Sequence, residues 1–431
     1  MKNYRILRIA GIYYSDAVNN WLQKNPVFEN SSYDEMLKLF FGSSIMYSDG
    51  FSRSFKTLGQ ESHEVIADFG IVQKQWAREN GIRYSTENWL FEILMAQIKA
   101  IKPDIIYFQG TEWSIPGRFL PERPNDNLIK ILKEEYSFIK KLIVFSGYPC
   151  GAERIKGVDI LFAGSPSLMR LYQKMGFDPI LLYHSFDKSI INKLNGQDKQ
   201  YGFTFAGSTR APESRYWALR QLMDETDLQA WIYEYSFGNG PQTLKQKIRS
   251  TLKRGFSVFS DRQVSGFDEL KIIPRKFRNI FLDISRERMA FKGVKKNMGD
   301  VIHLSELYPD RCFGPVAGMD MYNLLHLSRL TFNKHADQAW GFLGNMRMFE
   351  ATGVGSCLLT DTGSNMKDLF EEDKEVVTYR TVDEAVEKVN YLLDHPDEAE
   401  QIAKAGQART LKDHAIMNRC QQIDEVIQGS L

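Results

Sequence analysis

The chain writes one pattern twice. Short continuous runs of apolar residues, closed by glycine, proline or a turn, alternate with segments of helical periodicity. In the first 185 residues the apolar runs fall at 5–12, 105–109, 141–146, 158–164 and 179–184. Between them, 87–101 spaces its apolar residues three and four apart, which predicts a helix. Strands that are apolar throughout must be covered on both faces, and strands joined through helices run parallel. After a polar stretch at 187–200 the pattern restarts, with runs at 202–207, 230–235, 312–316, 330–333, 356–361 and 375–379. The end reads as helical: Thr381 and Glu384 have capping-box spacing, and Pro396 opens a further helix. The expected class is α/β with two parallel-sheet units. The length of 431 residues fits two domains at roughly 100–200 residues each. In such sheets ligands bind beyond the carboxyl ends of the strands, so the residues after each run are the ones to examine.

Composition narrows the classes of function. The chain is 43% hydrophobic and 25% charged, an ordinary globular balance. Its 55 Lys+Arg and 54 Asp+Glu leave a net charge of +1, which disfavours a nucleic-acid binder. Cys150, Cys312, Cys357 and Cys420 stand far apart. No CxxC pair suggests zinc, and sparse cysteine fits a reducing compartment. The start carries no signal-peptide pattern, and no run of 18 uncharged apolar residues suggests a membrane span. The expectation is a cytoplasmic protein.

The stretch 331–361 carries the most chemistry. Asn333, Lys334 and His335 follow a strand end, Gly341 and Gly344 bracket a loop, and Asn345–Ala351 reads as a helix start. A glycine-bounded loop entering a helix presents backbone N–H groups and a positive dipole end, which suit a pyrophosphate. Glu350 in that helix has the chemistry to accept two hydrogen bonds from a ribose diol. An ordinary helix–strand connection with a surface carboxylate uses the same residue types.

Residues 347–353 (RMFEATG), then 358–361, Phe370 and 375–379, resemble the C-terminal domain of GT-B-type glycosyltransferases. Within them they resemble the spore-maturation-protein (CgeB-like) "glycosyl transferases group 1" branch. The tail 402–406 with His414 and Arg419 follows the same pattern, and 33–42, 73–81 and 164–176 are similar more weakly. The resemblance implies two Rossmann-like domains facing a cleft. We set these at 1–188, for the acceptor, and 189–411, for a nucleotide-sugar donor, with a final helix at about 412–431 returning to the first. It implies Glu350 at the donor ribose, Gly344, Asn345 and Arg347 near the diphosphate, and Gly207 and Ser208 in a turn approaching the phosphates. His335 joins the donor set from the strand end before the loop. Many relatives carry a second glutamate eight positions before the first, where this chain has Phe342. GT-B enzymes generally stabilise the leaving diphosphate without a metal, a task for cations, here Arg210, Arg215, Lys334 and Arg347. No acidic triplet of DxD spacing closes a strand, so neither a metal nor a cofactor is expected.

On the acceptor side, a general base for an inverting transfer should come from strand ends of the first unit. Glu112 is first choice, beside Trp113, which has a face for a sugar. Asp16 and Asp49 come next, and His184 reads more readily as a satisfied linker histidine. The function expected is transfer of a sugar from a nucleotide-sugar to a saccharide or lipid-linked acceptor in bacterial surface glycan assembly. A nucleotide-sugar epimerase and a catalytically degenerate GT-B scaffold are the alternatives.

The net charge conceals an asymmetry. Residues 237–300 hold fifteen Lys/Arg against six Asp/Glu, a local net of +9 that leaves −8 for the rest. Aromatic and aliphatic residues are interleaved with the basic ones. We read an insertion with three uses open to it: a solvated helical hairpin, an oligomer interface, or contact with the anionic inner face of the plasma membrane, where each basic residue contributes roughly 1 kcal/mol. Liposome flotation with anionic lipid tests the last. Full-length protein is expected to float and a variant lacking 237–300 to stay behind; equal recovery contradicts the reading.

Overall fold

The structure, a computed structural model, describes residues 2–12, 15–110, 125–196, 198–210, 213–235 and 302–431. The basic segment 237–300, Glu112 and Trp113 lie outside the described residues. Two six-stranded sheets, every pairing parallel, account for the two runs of the pattern. The first comprises β1 (Arg5–Ala10), β2 (Glu61–Ile66), β3 (Ile105–Gln109), β4 (Lys141–Ser146), β5 (Ile160–Ala163) and β6 (Pro179–Leu181), ordered 2-1-3-4-5-6. The second comprises β7 (Tyr201–Arg210), β8 (Gln229–Tyr235), β9 (Cys312–Phe313), β10 (Ser328–Asn333), β11 (Cys357–Asp361) and β12 (Val377–Tyr379), ordered 12-11-10-7-8-9. Read from its other edge, the second order is that of a dinucleotide-binding sheet, reversing between β7 and β10. The first reverses between β1 and β3.

β2 has no counterpart among the apolar runs. It is an edge strand with sequence ESHEVI, in which Glu61 is exposed, His63 half-buried and the other four residues buried. Glu61 faces solvent and pairs with Arg5 on β1 at 2.7 Å, so polar residues are tolerated. Helix ends follow local chemistry. Thr381 accepts from the Glu384 N–H at 3.2 Å. The Glu384 carboxylate reaches past the cap to the Arg380 N–H at 2.8 Å. The linker after β6 holds a short 3-10 helix, Lys188–Lys193.

Each sheet is covered on both faces. One face of the first packs beneath helices Trp89–Ile101, Leu128–Glu135 and Pro166–Lys174 through residues such as Leu94, Leu132 and Tyr172. The other face receives the last helix, Ile416–Ser430, whose Cys420, Ile423 and Ile427 bury against Tyr4, Ile6, Phe55 and Tyr107. The chain therefore crosses between the units twice. The crossings meet as a parallel bridge between Phe186 and Ala415. The Phe186 N–H donates to the His414 carbonyl and the Ile416 N–H to that of Phe186, both at 2.9 Å. Among the described residues no helix is long and apolar enough to cross a membrane.

The Phe186 ring is fully buried under the helix Met346–Gly353, where a Cβ on Gly353 would lie 2.5 Å from it. Gly353→Ala is therefore expected to destabilise by about 1–3 kcal/mol as the ring is displaced. Gly429, in the last helix, has no atom within 4 Å of its Cβ position, and Gly429→Ala is expected to gain up to about 1 kcal/mol. Urea denaturation of the two variants checks the contrast.

Candidate active site

The second sheet leaves a backbone problem where its order reverses. β7 runs to Arg210, whereas β10 pairs with it only as far as Thr204. The carbonyls of β7 beyond that point need other donors. Arginines supply them. Arg347 Nε donates to the Ala206 carbonyl at 3.1 Å, and Arg215 Nη1 to that of Ser208 at 2.9 Å. Arg215 also donates from Nε and Nη2 to the Lys334 carbonyl, at 3.0 and 2.6 Å. Both guanidiniums thus stitch strand ends instead of standing free as charges. Gly207 and Ser208 lie within β7, paired with Ile232 and Tyr233 of β8, instead of forming the expected turn. Arg210 ends the strand. The Lys334 ammonium lies 6.0 Å from the ring centroid of Tyr379.

The loop between β10 and the helix Met346–Gly353 is held from behind by His335. Its Nδ1 lies 2.8 Å from Asp361 Oδ1, and its backbone N–H also reaches that carboxylate. Its Nε2 accepts from the N–H groups of Gly344 at 3.1 Å and Asn345 at 3.4 Å. Burial pushes Asp361 up, but His335, then Lys334, outweigh it and hold the carboxyl below its ordinary range. Asn345 stands at the N-cap position of the helix, where its side chain exchanges amide hydrogen bonds with Asn333 instead of capping. Gly344 has φ +124° and no room for a side chain, because Tyr183 of the first unit stands 2.9 Å from its Cβ position. The Tyr183 hydroxyl accepts from Asn365 at 2.9 Å, a hydrogen bond across the units. Phe342 lies beneath Arg170 of the first unit, 4.6 Å from guanidinium carbon to ring centroid. The position where the resemblance would place a second glutamate thus makes a contact across the cleft.

Between the units lies a cavity of about 160 Å³. The second unit contributes Met346, Glu350 and Tyr322 to its wall. Glu350 is buried and pairs with Arg347 at 2.8 Å. Tyr322 also hydrogen-bonds to it, and burial and then the Glu350 charge hold the phenol far above its ordinary value. A carboxylate has about four acceptor positions, so two donors leave capacity for a diol.

The first unit and the returning helix contribute Arg8, Ser48, Tyr107, Gln109, His184, Asp187 and Arg419. Arg8 is buried, paired with Glu64 and flanked by the rings of Tyr47 and Phe51. Asp187 accepts from Ser48, from the Ser189 N–H at 3.0 Å and from Arg53 at 2.7 Å. Burial raises Asp187, but Ser48, Ser189 and Arg53 outweigh it and hold it below the ordinary range. Burial, then the charge of Arg419, lowers His184 to about 4, so its imidazole is neutral at pH 7. The ring packs edge-on against Phe145.

Asp16 is exposed near the start of the helix Ser15–Lys24. Asp49 is exposed and paired with Arg53 at 2.9 Å. Neither lines the cavity, and both point to solvent as residues at helix starts commonly do. Arg8, Ser48, Asp187 and Tyr322 are cavity residues that sequence reasoning missed. Arg8 left a trace, a charge inside an apolar strand run. Asp187 was passed over as the first polar residue of a linker. Tyr322 left none. Among the described residues, no three His, Cys, Asp or Glu side chains gather as a metal site would need.

Residues 286–425, about a third of the chain, match the family described as "Glycosyl transferase-like". No curated protein matches the sequence. Similar solved structures include a glycosyltransferase from Rickettsia africae, 10% identical, with 100% of this chain and 99% of that one covered and a TM-score of 0.49. HepE from Anabaena, solved with UDP-glucose, is 12% identical over 99% and 100% of the two chains, with a TM-score of 0.49. A sucrose-phosphate synthase from Thermosynechococcus elongatus is 8% identical over 99% and 98%, with a TM-score of 0.48. The fold assignment rests on the sheet orders: two Rossmann-like parallel sheets meeting at one cleft are the GT-B arrangement. The family match supports glycosyl transfer.

The Asp187 cluster predicts a pH dependence. A carboxyl lowered by folding stabilises above its unfolded pKa, and that contribution is lost as pH falls through the folded value. Asp187→Asn is therefore expected to be less stable than the wild type at pH 7, with the gap closing toward pH 3. Denaturant titrations at the two pH values check this.

Proposed function

We propose that the chain is a glycosyltransferase of the CgeB-like branch. It moves a sugar from a nucleotide-sugar to a saccharide or lipid-linked acceptor in bacterial surface glycan assembly, in the cytoplasm or at the inner face of the plasma membrane. The observation that carries the reading is Glu350. This buried carboxylate stands one turn into the helix that opens after the Gly344–Asn345 loop, beside the reversal point of a dinucleotide-type sheet. It faces the cavity between the units, and it falls within the segment matched to the glycosyl transferase-like family.

In this reading Glu350 holds the ribose diol and the start of the helix Met346–Gly353 faces the diphosphate. Arg347 sets the Glu350 carboxylate while anchoring β7. Lys334 supplies positive charge at the neighbouring strand end, and the leaving group is stabilised without a bound metal. The acceptor enters from the first unit, where the neutral His184 ring offers a hydrogen-bond acceptor for a hydroxyl. A pKa near 4 makes it a weak general base, since the best proton acceptors titrate near the working pH. Closure of the units over the donor excludes water and limits hydrolysis.

Thermal-shift and calorimetric titration with UDP, GDP, dTDP, CMP and ADP, alone and as sugar conjugates, test the reading. One nucleotide series is expected to stabilise the wild type. Glu350→Ala and Glu350→Gln should weaken that binding by about tenfold or more, 1.4 kcal/mol. Stabilisation by none of them contradicts a donor site, and unchanged affinity in both variants contradicts the ribose assignment.

A further inference from the structure

The His335 hydrogen bonds define a single protonation state. Backbone N–H groups can only donate, so an imidazole nitrogen that receives two of them carries no proton. Nε2 receives those of Gly344 and Asn345. The ring proton of the neutral form is then on Nδ1, where it donates to Asp361 at 2.8 Å. The ring is buried and therefore has little freedom to turn away. The charged and titratable groups around this pair are few. Lys334 precedes it on the chain, and Arg215, Tyr379 and Asp337 lie on the elements packed beside Asp361. None of these is hydrogen-bonded to the ring.

We propose that His335 is a positioning residue that works as a tautomer lock: Asp361 fixes the Nδ1–H form, and the bare Nε2 holds the Gly344–Asn345 loop in the conformation that binds the donor diphosphate. The inference rests on the reading of this loop as part of the donor site. His335 contacts no donor atom in this account and acts only through the loop.

Two variants separate this role from simple packing. Glutamine places a carbonyl oxygen near the Nε2 position and accepts the two N–H groups. Asparagine is too short to reach the loop, though it still reaches Asp361. Binding of UDP, GDP, dTDP, CMP and ADP is measured by calorimetry. His335→Gln is expected to bind within about threefold of the wild type and His335→Asn at least about tenfold more weakly. Equal affinity of His335→Asn and the wild type overturns the proposal while leaving the donor reading intact. Nitrogen-15 spectra of histidine-labelled protein without ligand give an independent readout. A protonated Nδ1 and bare Nε2 on His335 are expected, and the opposite tautomer overturns the lock. If no nucleotide binds, the donor reading falls, and the spectra still decide the tautomer.

Discussion

A parallel sheet that reverses its strand order leaves unpaired backbone at the reversal wherever the central strand outruns its neighbour. β7 does this, and the site is built on the remedy. Arg347 and Arg215 bond to the carbonyls that β10 does not reach. Each side chain arrives from a different helix, so satisfying β7 also fixes where those helices begin. The helix Met346–Gly353 is thereby pinned against the strand end, and Glu350, three residues after Arg347, is aimed into the cleft. The same constraint explains why two part-buried guanidiniums are tolerated here. A planar fork with five donors spans carbonyls on separate strand ends in a fixed geometry.

The facing of the two units depends on a second economy. The chain crosses between them at Phe186 and again at Ala415, and the two crossings bond to each other. Arg419 reinforces the junction, donating to the carbonyls of Tyr183, His184 and Asp413 and to His414 Nδ1. Burial lowers this arginine to about 10, and burial, then its charge, helps lower His414 to about 4. The junction thus joins the Arg419 cation to lowered imidazoles and backbone carbonyls, at the end of the cleft proposed to receive the donor.

Much of the architecture was legible as pattern. Among the described residues, eleven of the twelve strands left apolar runs, because a strand covered on both faces is mostly apolar. β2 escaped because its first four residues are polar: Glu61 faces solvent, and Glu64 is buried against Arg8. The loop at 341–345 and Glu350 were legible because glycine at positive φ and a carboxylate inside an apolar helix are local signals. The roles of Arg215, Arg347 and His335 were not. Their residue types suggested ligand contacts, yet their partners are carbonyls, N–H groups and carboxylates, most of them brought together only by the fold. Asp187 and Ser48 lie 139 residues apart, and Tyr322 reaches Glu350 from another helix, so no spacing announces either contact.

A nucleoside diphosphate held at the strand ends of the second sheet, as proposed, would shield the backbone there. Hydrogen–deuterium exchange, read by mass spectrometry with and without the nucleotide that stabilises the protein most, tests for it. Slowed exchange is expected in peptides covering 206–209 and 341–351, and unchanged exchange in the distant edge strand 61–66. Slowed exchange confined to other segments, or none at all at saturating nucleotide, would contradict it.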